Sequence, residues 1–294
     1  MNPAGGERPM VVGAGGLLGE ALARRLERDH SELIAATRLE IDVTDRFGLE
    51  AEVERLRPTV ILNCAAMTDV DGCTRDPERA MEINAEGAAN VARAAEGSGC
   101  RLIHISTDFV FDGRSERPYR EDDPTGPIQE YGRSKLEGER RIAAVLADHL
   151  IVRTAWLYGA GGKGFVGTIL RRAAQGERLR VVEDQFGSPT WVEDLADGVT
   201  RLLGVAHRGV VHVVNRGVCS RHALAAAALA AAGLTGRTSL EAMRTSQAGG
   251  VARRPAYSAL DTDLFARLTG APLRPWDEAL RSFLQDAGGR GPAA

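Results

Sequence analysis

The chain has 294 residues, 44% of them hydrophobic and 26% charged, which suits one large α/β domain or a domain with a smaller lobe. A formal charge of -3 gives no reason to expect nucleic acid or an anionic membrane as partner. No apolar run approaches the roughly 18 residues of a membrane span, no signal-peptide core opens the chain, and four cysteines without C-x-x-C spacing read as free thiols of a cytoplasmic protein.

Residues 1–8 read as a loose leader. Met10-Val11-Val12 is a short apolar strand that runs into Gly13-Ala14-Gly15-Gly16-Leu17-Leu18-Gly19 and then a helical pattern from Ala21 to Leu26. Strand, glycine turn and helix in this order are the setting of a dinucleotide fingerprint. The G-x-x-G-x-x-G spacing lets the backbone turn tightly and approach a pyrophosphate, which meets free N–H groups at the helix's positive end. Gly13, Gly16, Leu17, Leu18 and Gly19 are therefore expected to bind a cofactor. The second strand, Leu33–Ala36, ends at Thr37-Arg38. Folds that prefer NAD usually end this strand with a carboxylate for the ribose 2′-hydroxyl. Arg38 can instead meet a 2′-phosphate, so NADPH is expected, with NADH as second choice. Asp42 and Val43 are placed beside the adenine.

A helix around Leu49–Leu56 precedes the apolar strand that starts at Thr59 and passes into Cys64-Ala65-Ala66. These small residues leave room for a cofactor across the strand's carboxyl end, so Ala65 and Ala66 join the expected cofactor surface. Pro77 to Glu96 reads as one long helix. Leu102-Ile103-His104-Ile105 is the next strand and delivers Ser106-Thr107-Asp108. His104 alternates with apolar neighbours, which marks a packed core histidine rather than a catalytic base. The alternation of strand and helix to this point predicts an α/β fold with a doubly wound, Rossmann-like parallel sheet.

Residues 119–129, acidic and proline-bearing, form a loop into the helix that carries Tyr131 and Lys135. Four residues apart, those side chains share one face. An ammonium beside a phenol would lower the phenol's pKa from about 10, and a phenol so tuned can exchange a proton with an alkoxide. Leu150–Arg153 is another strand, ending at Thr154-Ala155-Trp156. Beyond residue 160 the alternation weakens. Expected there are a helix near Phe165–Gln175, a strand Leu179–Val182, turn-rich Asp184–Thr190, strand-like Val210–Val214, an alanine-rich helix Ala223–Ala232 and a last helix Pro275–Phe283. The division predicted is a dinucleotide-binding domain over 9–160 with a returning segment near 180–215, a smaller carboxy-terminal substrate-binding lobe over 161–285, and a frayed tail over 286–294.

Longer strings carry a resemblance. Ser106-Thr107-Asp108-Phe109-Val110-Phe111-Asp112-Gly113, Tyr131-Gly132-Arg133-Ser134-Lys135-Leu136-Glu137-Gly138-Glu139 and Arg153-Thr154-Ala155-Trp156-Leu157-Tyr158-Gly159 are similar to the dTDP-4-dehydrorhamnose reductase family, in the extended branch of the short-chain dehydrogenase/reductases. So are Asp184–Thr190 and the stretch from Arg254-Pro255 to Asp261. The resemblance implies nicotinamide-dependent reduction of a 4-keto sugar on a nucleoside diphosphate. It assigns catalysis to Thr107, Tyr131 and Lys135, the last two also on the cofactor, and turns Thr107, Asp108 and Trp156 toward the sugar. Arg254 is the candidate for the diphosphate, because a guanidinium matches phosphate geometry with two donors.

Departures from the family pattern are also visible. Gly164-Phe165 stands where Asn-Phe is common, and Met67, expected on the cofactor surface, stands where a ring-bearing residue is frequent. Some relatives hold Mg²⁺ at a dimer interface through several carboxylates. Only Glu193 matches, which argues against that metal, and no metal-ligating residue is assigned; a homodimer stays open. A dehydratase would need Asp-Glu beside the threonine, where this chain has Asp108-Phe109. An epimerase would hold NAD tightly and suits the missing carboxylate poorly. A non-catalytic NADP-binding subunit, similar to the β subunit of methionine adenosyltransferase, shares the fold and is the alternative of a different class.

Overall fold

The computed structural model describes residues 7–162 and 164–289; residues 1–6 of the expected leader and 290–294 of the expected tail lie outside it. The first half of the chain builds a parallel sheet. Strands β1 (Pro9–Val12), β2 (Ile34–Ala36), β3 (Val60–Asn63), β4 (Arg101–Thr107) and β5 (His149–Thr154) alternate with helices α1 (Leu17–Leu26) and α2 (Arg46–Leu56) and a longer helical stretch from Pro77 to Ser98. A sixth strand, Gly209–His212, returns from the second half, giving the order Gly209–His212, β5, β4, β3, β1, β2. Every pairing in it is parallel. β1 and β3 are buried at every residue, as strands covered on both faces must be, which is why they read as unbroken apolar runs.

Two apolar layers cover the sheet. One joins α1 to the helix Val192–Arg201 and to Tyr158, Trp191 and Phe283; the other joins α2 and the helix Gly87–Ser98 to Met10, Ile61 and Leu102. Strand order reverses between β1 and β3, and in such sheets ligands bind in the crevice outside the strands' carboxyl ends at that point. The glycine turn, Cys64-Ala65-Ala66 and Ser106-Thr107-Asp108 all follow those ends.

Several expectations change. Arg8 is not loose: its N–H donates to Thr59 Oγ1 at 2.9 Å and its carbonyl accepts from Thr59 N–H. The helix expected over 77–96 is interrupted by a π turn, Glu82–Glu86, between Pro77–Met81 and Gly87–Ser98. That turn carries Asn84, whose side chain holds Met67 N–H and carbonyl and donates to Ser134 Oγ at 2.9 Å. A bulge of this kind re-aims one side chain without ending the helix. In the second half, Leu179–Val182 pairs in parallel with a strand not expected, Leu240–Met243. The last helix runs from Trp276 to Gly289, so residues 286–289 are helical rather than frayed. Among the described residues no helix is long and apolar enough to cross a membrane.

Candidate active site

The glycine turn forms the floor of the site. Gly13 has φ +81, and a Cβ there would lie 2.7 Å from Ala65 N; a Cβ on Gly19 would lie 2.2 Å from the Gly13 carbonyl oxygen. Neither position has room for a side chain, so turn, β3 end and α1 close on one another at backbone distance. Gly16 caps α1 without a side-chain acceptor, leaving the first N–H groups of the helix for a ligand. Leu17, Leu18 and Gly19 line a cavity of about 620 Å³. An anion fits there on physical grounds, since donors and the positive end of the helix coincide.

A second cavity of about 460 Å³ shares Gly16, Cys64 and Ala66 with the first and is lined by Gly13, Thr37, Arg38, Asp42, Val43 and Ala65. Together the two make a groove suited to a dinucleotide. Met67 lines neither, because Asn84 ties its backbone away. Arg38 is largely exposed and makes one ion pair, to Asp42 at 3.5 Å. A carboxylate does stand near the end of β2: Glu40 accepts from Thr37 N–H at 2.7 Å and from Thr37 Oγ1 at 2.8 Å. Those bonds hold it below the usual carboxylate range.

The large cavity also brings together Thr107, Asp108, Tyr131, Lys135 and Trp156. Helix α6 (Glu130–Val145) starts at Gln129, whose Oε1 accepts from Gly132 N–H at 2.6 Å. A Cβ on Gly132 would come 2.0 Å from the Phe109 carbonyl oxygen, so only glycine lets this turn press Tyr131 against the residues after β4. Tyr131, Lys135 and Glu139, one turn apart each, then run along β4, where His104 and Ser106 share a face. Lys135 Nζ is 3.0 Å from His104 Nε2 and donates to the Ile105 carbonyl at 2.6 Å. Glu139 accepts from Ser106 Oγ at 2.5 Å and from Arg153 at 3.0 and 2.7 Å.

The electrostatics depart from the expected pattern. Burial pushes the Tyr131 phenol well above its usual value, opposed by a hydrogen bond with Thr107. Burial also brings Lys135 down to about 8. The lysine thus turns to the sheet, and the expected lowering of the phenol by the ammonium is not found. Tyr131 is a fully protonated acid at neutral pH. Asp108 is pushed up to about 6 by burial, and its Oδ2 is buried without a partner, which marks a place for a ligand hydroxyl.

Trp156, in the left-handed region at φ +47, presents its indole to the guanidinium of Arg221, 3.6 Å from the ring centroid; Phe165 lies 5.0 Å from the same guanidinium. Arg221 lines the cavity and, among the described residues, donates no side-chain hydrogen bond. Arg254, the residue expected at the diphosphate, lines neither cavity and is committed to Asp71 at 3.3 Å and to the Ala252 carbonyl at 3.0 Å. No spacing in the sequence singles out Arg221, which opens an alanine-rich helix; its place at the cavity comes from the packing of Arg221–Ala231.

A family model described as the RmlD substrate binding domain matches residues 8–288. The chain belongs to this family. It is 41% identical over 291 residues to a dTDP-4-dehydrorhamnose reductase of Streptomyces griseus, covering 95% of this chain and 94% of that one. It is 40% identical over 279 residues to the spore coat polysaccharide biosynthesis protein SpsK of Bacillus subtilis, covering 94% and 96%. The crystal structure of dTDP-4-dehydrorhamnose reductase from Bacillus anthracis in complex with NADP superposes with a TM-score of 0.91 at 35% identity, over 96% of this chain and 99% of that one. Within the family frame, Glu193 ion-pairs with Arg24 at 2.7 Å. Among the described residues no group of three or more His, Cys, Asp or Glu side chains is placed to hold a metal.

Proposed function

We propose that the protein reduces the 4-keto group of a 6-deoxy sugar carried on a nucleoside diphosphate, with NADPH as hydride source and dTDP-4-dehydrorhamnose, reduced to dTDP-L-rhamnose, as the leading substrate. One observation carries this reading: Thr107, Tyr131 and Lys135 line the same cavity as the uncapped start of α1, so a ketone and a dinucleotide can meet there. When bound, the cofactor supplies the hydride. Thr107 and Tyr131 donate hydrogen bonds to the ketone oxygen as negative charge grows on it, and Tyr131 gives up its proton to the alkoxide. Asp108 accepts a sugar hydroxyl through its orphaned oxygen, Trp156 walls the ring, and Lys135 holds the ribose of the nicotinamide half. Residues 161–285 supply the lobe that closes over the sugar nucleotide. The cytoplasm, where its free thiols stay reduced, is the compartment this reading requires. Oxidation of NADPH by purified protein on a panel of 4-keto sugar nucleotides tests it; no turnover with any of them would favour a non-catalytic cofactor-binding subunit.

Arg38 makes the cofactor preference testable. Arg38→Asp should weaken NADPH binding roughly 10-fold or more while sparing or improving NADH, since one charge-assisted phosphate contact is lost. Equal dissociation constants for the two cofactors in the unmutated protein would refute the preference.

For the diphosphate, the uncommitted guanidinium is Arg221, not Arg254. Arg221→Met should raise KM for the sugar nucleotide about 10–100-fold with the NADPH dissociation constant unchanged, because charge-assisted hydrogen bonds to the substrate disappear. Arg254→Ala should have the smaller effect. The reverse ranking would return the diphosphate to Arg254.

A further inference from the structure

Asn63, His104 and Lys135 form a buried chain, exposed by 1%, 0% and 1%. Parallel register sets Asn63 beside His104 on neighbouring strands. Asn63 Oδ1 accepts from Ala65 N–H at 3.0 Å, Asn63 Nδ2 lies 3.1 Å from His104 Nδ1, and His104 Nε2 lies 3.0 Å from Lys135 Nζ, which also meets the Ile105 carbonyl at 2.6 Å.

The direction of each bond follows from what each group can do. A main-chain N–H only donates, so Asn63 must turn its oxygen to Ala65 and its NH₂ to His104. An amide NH₂ only donates, so His104 Nδ1 must accept. Burial keeps the imidazole neutral, with its pKa well below the usual value, so its single proton sits on Nε2. An Nε2–H facing Lys135 needs a lone pair on Nζ, and an ammonium has none. We infer that Asn63 and His104 hold Lys135 as the neutral amine in the free protein, and that charging this lysine requires the His104 proton to move from Nε2 to Nδ1 against the Asn63 amide.

The other groups facing Lys135 agree. From α6, Glu139 favours the charged lysine but is committed to Arg153 and Ser106, and Tyr131 is a protonated phenol; beyond β3, the Cys64 thiol is pushed up to about 12 by burial and carries no charge. Burial itself lowers Lys135, in the same direction. Asn63 and His104 are thus positioning residues: a neutral amine leaves the Tyr131 proton in place, the state that ketone reduction consumes. That last consequence rests on the function proposed above; the protonation state of Lys135 does not.

The chain has two lysines, Lys135 and Lys163, so protein labelled with ¹³C at lysine Cε gives two signals, assigned by Lys163→Arg. In the free, unmutated protein Lys135 should titrate at least roughly two units below the usual 10.4. Long-range ¹⁵N spectra of labelled histidine should place the His104 proton on Nε2. Asn63→Asp supplies a second acceptor in place of the donor. It should move that proton to Nδ1 and raise the Lys135 midpoint, whereas added charge alone would raise the midpoint without moving the proton. A Lys135 midpoint near 10.4, or a His104 proton on Nδ1 in the unmutated protein, overturns the inference, and both readings are available even should Asn63→Asp fail to fold.

Discussion

Tyr131→Phe should lower kcat on a 4-keto sugar nucleotide by roughly 10²–10⁴-fold, the usual contribution of general acid catalysis, with NADPH affinity little changed. The substitution keeps the ring, its edge-on contact with Phe109 at 6.0 Å between centroids and the cap at Gln129, and removes one proton. Because burial raises the phenol, the parent enzyme should show no basic limb attributable to Tyr131 below about pH 10 in the free protein. Loss of the Thr107 hydroxyl in Thr107→Val should act on the same step, since both groups face the ketone oxygen, and the two effects should be less than additive. A Tyr131→Phe protein that reduces the substrate as fast as its parent would defeat the mechanism.

Arg153→Met should destabilise the fold by about 3–5 kcal/mol, because it strands a buried carboxylate. Arg153 and Glu139 are each 4% exposed, and Ser106 Oγ supplies the only other hydrogen bond to that carboxylate among the described residues. Thermal melts should show Tm falling on the order of 10 °C. The double variant Arg153→Met, Glu139→Leu should recover much of the loss, since it removes both charges together. A single variant that melts within about 2 °C of the parent would show that Glu139 finds protons or water instead. This pair joins β5 to α6 and, through Ser106, to β4, so it also fixes the helix that carries Tyr131 and Lys135 over the strand that delivers Thr107.

Much of this architecture is legible in the chain because it is local. The glycines of residues 13–19 answer a steric demand made within a few residues, and apolar runs such as Val60–Asn63 report strands buried on both faces. Tyr131 and Lys135 fall on one face by helical period alone. The helix 77–98 is legible too, but its π turn is not: the turn exists because Asn84 reaches Met67 and Ser134, and Ser134 lies 50 residues away. Leu240–Met243 has no apolar alternation to announce it; it is a strand because Leu179–Val182 offers a partner.

The sequence by itself determined the fold class, the cofactor turn and which side chains share the face of α6, since period, glycine sterics and strand burial act over short stretches. Only the tertiary structure decided what those side chains are chemically. Desolvation and hydrogen-bond partners come from residues remote in the chain: His104, 31 residues before Lys135, and Asn63, 41 before His104, turn the expected ammonium toward the sheet. The same cause separates two arginines that look alike in sequence. Asp71, 183 residues away, takes Arg254 out of the cavity, while the faces of Trp156 and Phe165 hold Arg221 in it, because a planar cation stacks on an aromatic ring without spending its hydrogen-bond donors.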